Sequence, residues 1–142
     1  MSDANKKVIQ AFMDDVLNEG RLERANDLVK EDFVELDPLP GQEQGREGLK
    51  AVVHALRVAF PDMHWAPMEM MAEDQKVVTR FVWTGTHRGV FLGIPATGRN
   101  VEVKGVVIDL LEDGRMSESR ILMDTMGLMQ QLGVIPAPPA AS

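Results

Sequence analysis

The apolar residues of this chain change their spacing at Pro61, and that switch restricts the folds open to it. Before it they recur at helical intervals: Val8, Ile9, Phe12, Met13, Val16 and Leu17, then Leu49, Val52, Val53, Leu56 and Phe60. After it they alternate. Strands are expected near 63–72, 76–87, 100–112 and 115–124, with a short helix over 125–132 stopped by Gly133. Asp113-Gly114 is a strong hairpin signal between the last two strands. Between the first two helices, RLERANDLV reads as a short helix and DFVELDPLPGQEQG as an irregular connection. Helices first and a meander after indicate an α+β fold, with helices packed on one face of a curved antiparallel sheet. One domain over 1–133 is expected, followed by a flexible Pro/Ala-rich tail at 134–142.

Composition removes several function classes. Fifteen basic residues stand against 22 acidic ones, and no Lys/Arg cluster offsets the net charge of −7, so a nucleic-acid surface is not expected. With no cysteine there is no thiol nucleophile or thiolate metal site, and a reducing cytoplasmic setting fits. No apolar run is long enough for a bilayer, and the first residues lack a signal peptide's apolar segment, so no membrane partner is expected. His54, His64 and His87 are scattered without ligand spacing, so no metal is expected.

The hairpin places the charges on the sheet. With Asp113-Gly114 as a two-residue loop, Glu112 faces Arg115, Asp109 faces Glu118, Val107 faces Arg120 and Val103 faces Asp124. Asp109, Glu118, Arg120 and Asp124 would then share one face, and Asp109 is the only charge its own strand contributes to it. Asp109 and Asp124 stand roughly 20 Å apart along the strands, too far for a carboxylate pair. Arg120 is expected to neutralise Asp109 and Glu118. The turn at AEDQK brings Trp83 beside Trp65, and both indoles, with His87, fall toward the end of the sheet that holds Asp124. A carboxylate after Ile121-Leu122-Met123 and among indoles would be partly dry, and desolvation makes it a stronger base near neutral pH. The competing reading is that Asp124 caps the helix that follows it.

GREGLKAVVHALRVAFPDMHW, TGTHRGVFLGIPATGRNVEVKGV, LEDGRM and MDTMGLMQQLG resemble the SnoaL-like polyketide cyclase (ester cyclase) family, over about residues 5–133. The resemblance implies the cone-shaped α+β fold of the nuclear transport factor 2 superfamily, with a cavity between helices and sheet. It also implies ring closure by intramolecular aldol condensation without metal or cofactor, with one aspartate near the end of the last strand as acid/base; Asp124 matches that position. Three positions depart from the family: Leu36 stands where a His is frequent, Arg120 where Trp is frequent, and Asp109 where an aromatic is frequent. The pocket is therefore expected to be rebuilt.

The expected function is a small cofactor-independent enzyme acting on a flat apolar carbonyl compound. Asp124 would be the acid/base and His87 a hydrogen-bond donor, with Trp65, Trp83, Arg120 and Phe33 against the substrate. The rivals are an epoxide hydrolase of the same fold, which needs a second acid organised by an Arg, and a non-catalytic ligand-binding dimeric module. A homodimer is expected through the open sheet face, with Val78, Val82, Ile108, Leu110 and Ile121 outward.

Overall fold

A computed structural model describes residues 2–136. The expected tail therefore lies, from 137 onward, outside the described residues. Helix α1 (Ser2–Ala11) runs without a break into a π-helical segment, Phe12–Asn18, which ends at Gly20 in a left-handed conformation. After a 3-10 turn, α2 is only four residues long (Ala25–Leu28). Then come β1 (Val29–Glu35), α3 (Gly45–Ala59), β2 (His64–Glu73), β3 (Lys76–Thr86), β4 (Asn100–Glu112), β5 (Arg115–Met123) and α4 (Thr125–Leu132). The sheet order is β1-β5-β4-β3-β2.

The four expected strands pair antiparallel, and the indoles of Trp65 and Trp83 are directly opposite each other as predicted. The fifth strand, β1, was not expected, and it pairs parallel with β5. Its segment, VKEDFVE, carries four charges in seven residues, so no period-2 signal stands out. Its pairing also skips: Val29 lies opposite Met116 and Val34 opposite Glu118, which interrupts the alternation.

A second irregularity changes the face of Glu118 and Arg120 on β5. Glu112 faces Arg115 and Leu111 faces Met116 as the hairpin demands, but Leu110 then faces Glu118, leaving Ser117 as an extra residue. From there the register differs by one from that expected. Asp109 faces Ser119, not Glu118, and Val107 faces Ile121, not Arg120. Glu118 and Arg120 therefore turn to the outer face, while Ser119, Ile121 and Met123 turn inward.

The inner face carries the core. Phe81 and Trp83 of β3, Val101, Val103 and Leu111 of β4, and Trp65 of β2 pack against Ile9, Phe12 and Val16 of the first helix and Val53 and Leu56 of α3. Asn18 fastens the first helix to the edge of the sheet: its amide donates to the Trp65 carbonyl (3.0 Å) and accepts from the Trp65 N–H (2.7 Å). This also satisfies backbone groups that an edge strand would expose. Arg57 ties α3 to the same corner through the carbonyls of Leu17 and Asn18, both at 2.8 Å.

Gly105 is where the Phe81 ring comes up against β4. A Cβ there would meet the tip of that ring and, at 2.6 Å, the Leu122 carbonyl oxygen of the neighbouring strand. Gly105→Ala is expected to destabilise the protein by about 1–3 kcal/mol, read as a lower midpoint in urea unfolding. An unchanged midpoint would mean that the strands part there without cost.

Candidate active site on the inner sheet face

Glu35, Ser119 and Asp109 stand in a row across three adjacent strands, each paired with the next. All three are buried, Asp109 to 2 % exposure. Among the described residues no arginine or lysine is paired with Asp109, and Oδ1 of its carboxyl has no hydrogen-bond partner. Burial pushes the Asp109 carboxyl up to about 7, against the Ser119 hydroxyl, which favours the ionised form; the negative charge of Glu35 adds to the rise. Burial likewise raises Glu35 to about 7, although its carboxylate accepts the Asp37 N–H at 3.1 Å. Both carboxyls therefore hold their protons more tightly than exposed ones do. Thr79 lies on the same face, on the strand beside Asp109 and two residues along from its direct partner Val77. Its hydroxyl is buried and unpartnered.

From this polar row a line of rings leads along the sheet. Trp65 packs on Phe81 (centroids 4.8 Å) and stacks on Trp83 (5.7 Å), and Trp83 meets Phe60 edge-on (5.0 Å). Phe60 stacks on His87 (5.3 Å) and touches Phe91 edge-on (5.4 Å). Beyond Phe91 opens a groove of about 490 Å³ between α3 and two loops, lined by Leu39, Val52, Leu56, Val90 and Leu92 among others.

The residues singled out from sequence do not converge. Asp124 is exposed and caps α4, accepting the Gly127 N–H on Oδ1 at 2.9 Å; the partly dry surroundings expected of it are not there. The cause is local: α4 begins at the next residue, and its free N–H groups take the carboxylate. Asp124 borders neither the groove nor a smaller hollow on the outer face. Arg120 lies on that outer face, beside Ile108 and Leu110, so it neither neutralises Asp109 nor reaches an interior ligand. His87 is buried at the far end of β3, roughly 15 Å along the strands from the level of Asp124. Trp65, Trp83 and Phe33 are all inside, as core residues packed against one another and the helices. Ile121, expected outward, is turned inward, and Leu122 (69 % exposed) takes the outward place. Asp109 and Glu35 were not anticipated as a pair. The available signal was Asp109 as the one charge on an apolar strand face.

Among the described residues no group of three or more His, Cys, Asp or Glu could hold a metal ion, and no helix is long and apolar enough to cross a membrane.

Residues 7–132 match the family of SnoaL-like polyketide cyclases. The chain belongs to that family. Among similar solved structures, TsrD from Streptomyces laurentii is 28 % identical with a TM-score of 0.86, covering 94 % of this chain and 97 % of its own. IdmH from Streptomyces antibioticus is 28 % identical with a TM-score of 0.80, covering 91 % and 98 %. A curated relative, the aklanonic acid methyl ester cyclase DnrD of Streptomyces peucetius, is 30 % identical over 91 residues, 63 % of each chain. The fold is accordingly the α+β fold of SnoaL-like proteins, helices laid over a curved, unclosed sheet.

Proposed function

We propose that this SnoaL-like chain is a cyclase that performs acid/base chemistry on a flat apolar carbonyl compound, with Asp109 as the proton-transfer group. The observation that carries the reading is the lone inward carboxyl of β4, buried, without a cation, and with one oxygen unpartnered. A carboxyl raised to about 7 is both an effective base and an effective acid at neutral pH. In the aldol reaction the Asp109 carboxylate removes a proton from a carbon beside a carbonyl. The resulting enolate carbon attacks a second carbonyl of the same molecule, closing the ring, and the new alkoxide takes the proton back from Asp109. Thr79, with its free hydroxyl on the same face, is an available donor for the enolate oxygen. Glu35 tunes the proton affinity of Asp109 through its charge. The side chains best able to give way to a substrate are the half-buried Met70, Met123 and Met129, since methionine repacks at little cost.

The product of such a reaction is an isomer of the substrate, so it is recognised by unchanged mass and changed retention. Aklanonic acid methyl ester, on which DnrD acts by name, is the first substrate to assay. The family resemblance points to Asp124 instead, and two variants separate the residues. Loss of conversion in Asp109→Asn with conversion kept in Asp124→Asn supports the reading; the reverse result transfers the role to Asp124. Failure to convert any member of a panel of flat keto esters would favour the non-catalytic binding module. The epoxide-hydrolase reading is weakened because Arg120 lies on the outer face.

We further propose a homodimer through that outer face. Val78, Val82, Val106, Ile108, Leu110 and Leu122 form its apolar stripe. Its charges balance, with Lys76, Arg80, Lys104, Arg115 and Arg120 against Glu69, Glu73, Glu102, Glu112 and Glu118, on a chain whose net charge is −7. Two copies repel least where this face meets itself. Sedimentation equilibrium is expected to give a dimer at micromolar concentration, and a monomer for Leu122→Glu. A wild-type monomer under those conditions refutes the interface.

A further inference from the structure

Two buried carboxyls face the interior without a cation. Asp109 of β4 and Glu35 of β1 are each paired with Ser119 of β5, which lies between them. Among the described residues no salt bridge involves either one. The charges that bear on them are negative: Glu35 on Asp109, and Asp37 on Glu35. The Ser119 hydroxyl bonds to the Asp109 carboxyl, but Asp109 Oδ1 and the Thr79 hydroxyl are buried without partners. Carboxyls kept in this way are costly, and the chain supplies no positive charge to offset them.

Directly beside this row the inner face is partly open. Gly105 pairs with Met123 and Val107 with Ile121, and these four inward positions are half-buried, whereas Val103, Asp109 and Ser119 on either side are buried. β1 ends at Glu35, opposite Ser119, and leaves the edge of β5 without a partner strand from Ile121 onward. There the Glu35 carboxyl accepts the Ile121 N–H. On the other side of the patch Thr79 is the direct partner of Val107. A small apolar patch with access to solvent is thus bordered by Asp109, Glu35 and Thr79. The missing cation and the accessible patch are independent features of one place.

We propose that this place binds a primary ammonium group carried on a short apolar chain. The three N–H donors of an ammonium go to Asp109 Oδ1, the Glu35 carboxylate and the Thr79 hydroxyl, and the chain lies over Val107, Ile121 and Met123. The patch is two residue steps long, about 7 Å, which suits a chain of about six carbons. A neutral donor would leave the carboxylates uncompensated. A metal ion is a poorer fit, since among the described residues no group of three His, Cys, Asp or Glu could hold one. The substrate of the proposed reaction then carries an amine. Its ammonium offsets the charge of Glu35, while Asp109, with lone pairs to spare, still takes the carbon-bound proton. The Thr79 hydroxyl accepts from the ammonium and donates to the enolate. That the amine belongs to the substrate rests on the cyclase reading; the test reads binding without turnover, so the two fail separately.

Isothermal titration calorimetry near neutral pH compares hexylamine with 1-hexanol, which share the chain and differ in the charge. The wild type is expected to bind hexylamine about tenfold or more tightly than hexanol, the margin of a hydrogen bond to a charged group. Asp109→Asn and Glu35→Gln each keep the shape and remove one charge, and each should weaken hexylamine about tenfold while leaving hexanol unchanged. Asp124→Asn removes an exposed carboxylate and should change neither affinity, which separates the site from the general attraction of an amine to an acidic chain. The proposal is overturned if hexylamine does not bind at millimolar concentration, or binds no better than hexanol. It is also overturned if either interior variant keeps the wild-type affinity, or if Asp124→Asn weakens hexylamine as much as they do. Should one interior variant not fold, the other decides. Amine binding without turnover of any keto ester upholds this inference and counts against the cyclase reading; turnover without amine binding does the reverse.

Discussion

Asp109→Asn is expected to lower turnover by about 10²–10⁴, the usual loss for a general acid/base, and to make the protein more stable above pH 7. The two effects together separate a catalytic carboxyl from a structural one. In the folded chain the Asp109 carboxyl is raised from 3.8 to about 7. The folded state therefore holds its proton more tightly than the unfolded state does. Stability contributed by this group is greatest below about pH 4, falls as pH rises from about 4 to about 7, and is flat above that. At about 1.4 kcal/mol per pKa unit, the wild type loses ~2–4 kcal/mol across that window. Asparagine has the same shape and no proton to lose. Thermal melting of both proteins at pH 5 and pH 8 reads the outcome: the wild type should lose several degrees between them, and the variant about half as many, since Glu35, also raised to about 7 by its own burial, still titrates. A variant that melts below the wild type at pH 8, or that retains full turnover, would refute the assignment.

Trp83→Ala is expected to cost about 3–5 kcal/mol, the largest stability loss of any single side chain considered. Trp83 is completely buried at the centre of the line of rings. It stacks on Trp65, meets Phe60 edge-on, and its Nε1–H donates to the Met123 sulfur at 3.3 Å. Truncation removes the packing of β3 against β2, β5 and the end of α3 at once, and leaves a cavity that the strands cannot close. For a chain of this length the melting temperature should fall by about 10–20 °C. Trp83→Phe keeps most of the contact and should lose far less. A fall of under about 3 °C for Trp83→Ala would mean that the rings repack around the gap and that the interior is already adaptable there.

These two residues divide differently between sequence and structure. The AEDQK turn brings Trp83 near Trp65, but their direct pairing needs the bulge between Pro67 and Glu69, since the register at the turn, Glu73 opposite Lys76, would otherwise set Trp65 opposite Thr84. Asp109 could be recognised as an isolated charge on an apolar face, but its partners could not. The expected neighbours, Glu118 and Arg120, follow from an uninterrupted ladder, and one extra residue at Ser117 sends both to the opposite side. Nothing in MSES marks that position, since a bulge is selected by the fit of strand to strand.

The sequence by itself determined the helix-then-meander order, the four antiparallel strands, the DG hairpin and the membership in a family, since each of these depends on local spacing or on motifs read in line. The tertiary structure decided what faces what. It added β1, whose charges conceal a strand held in place only by its parallel pairing with β5. That strand brings Glu35 to Ser119 and Asp109, a meeting of three segments that are distant in the chain. It also left Asp124 at a helix start, where free N–H groups claim the carboxylate before any cavity can. Local signals reach a few residues, whereas the proton affinity of a carboxyl depends on everything packed around it.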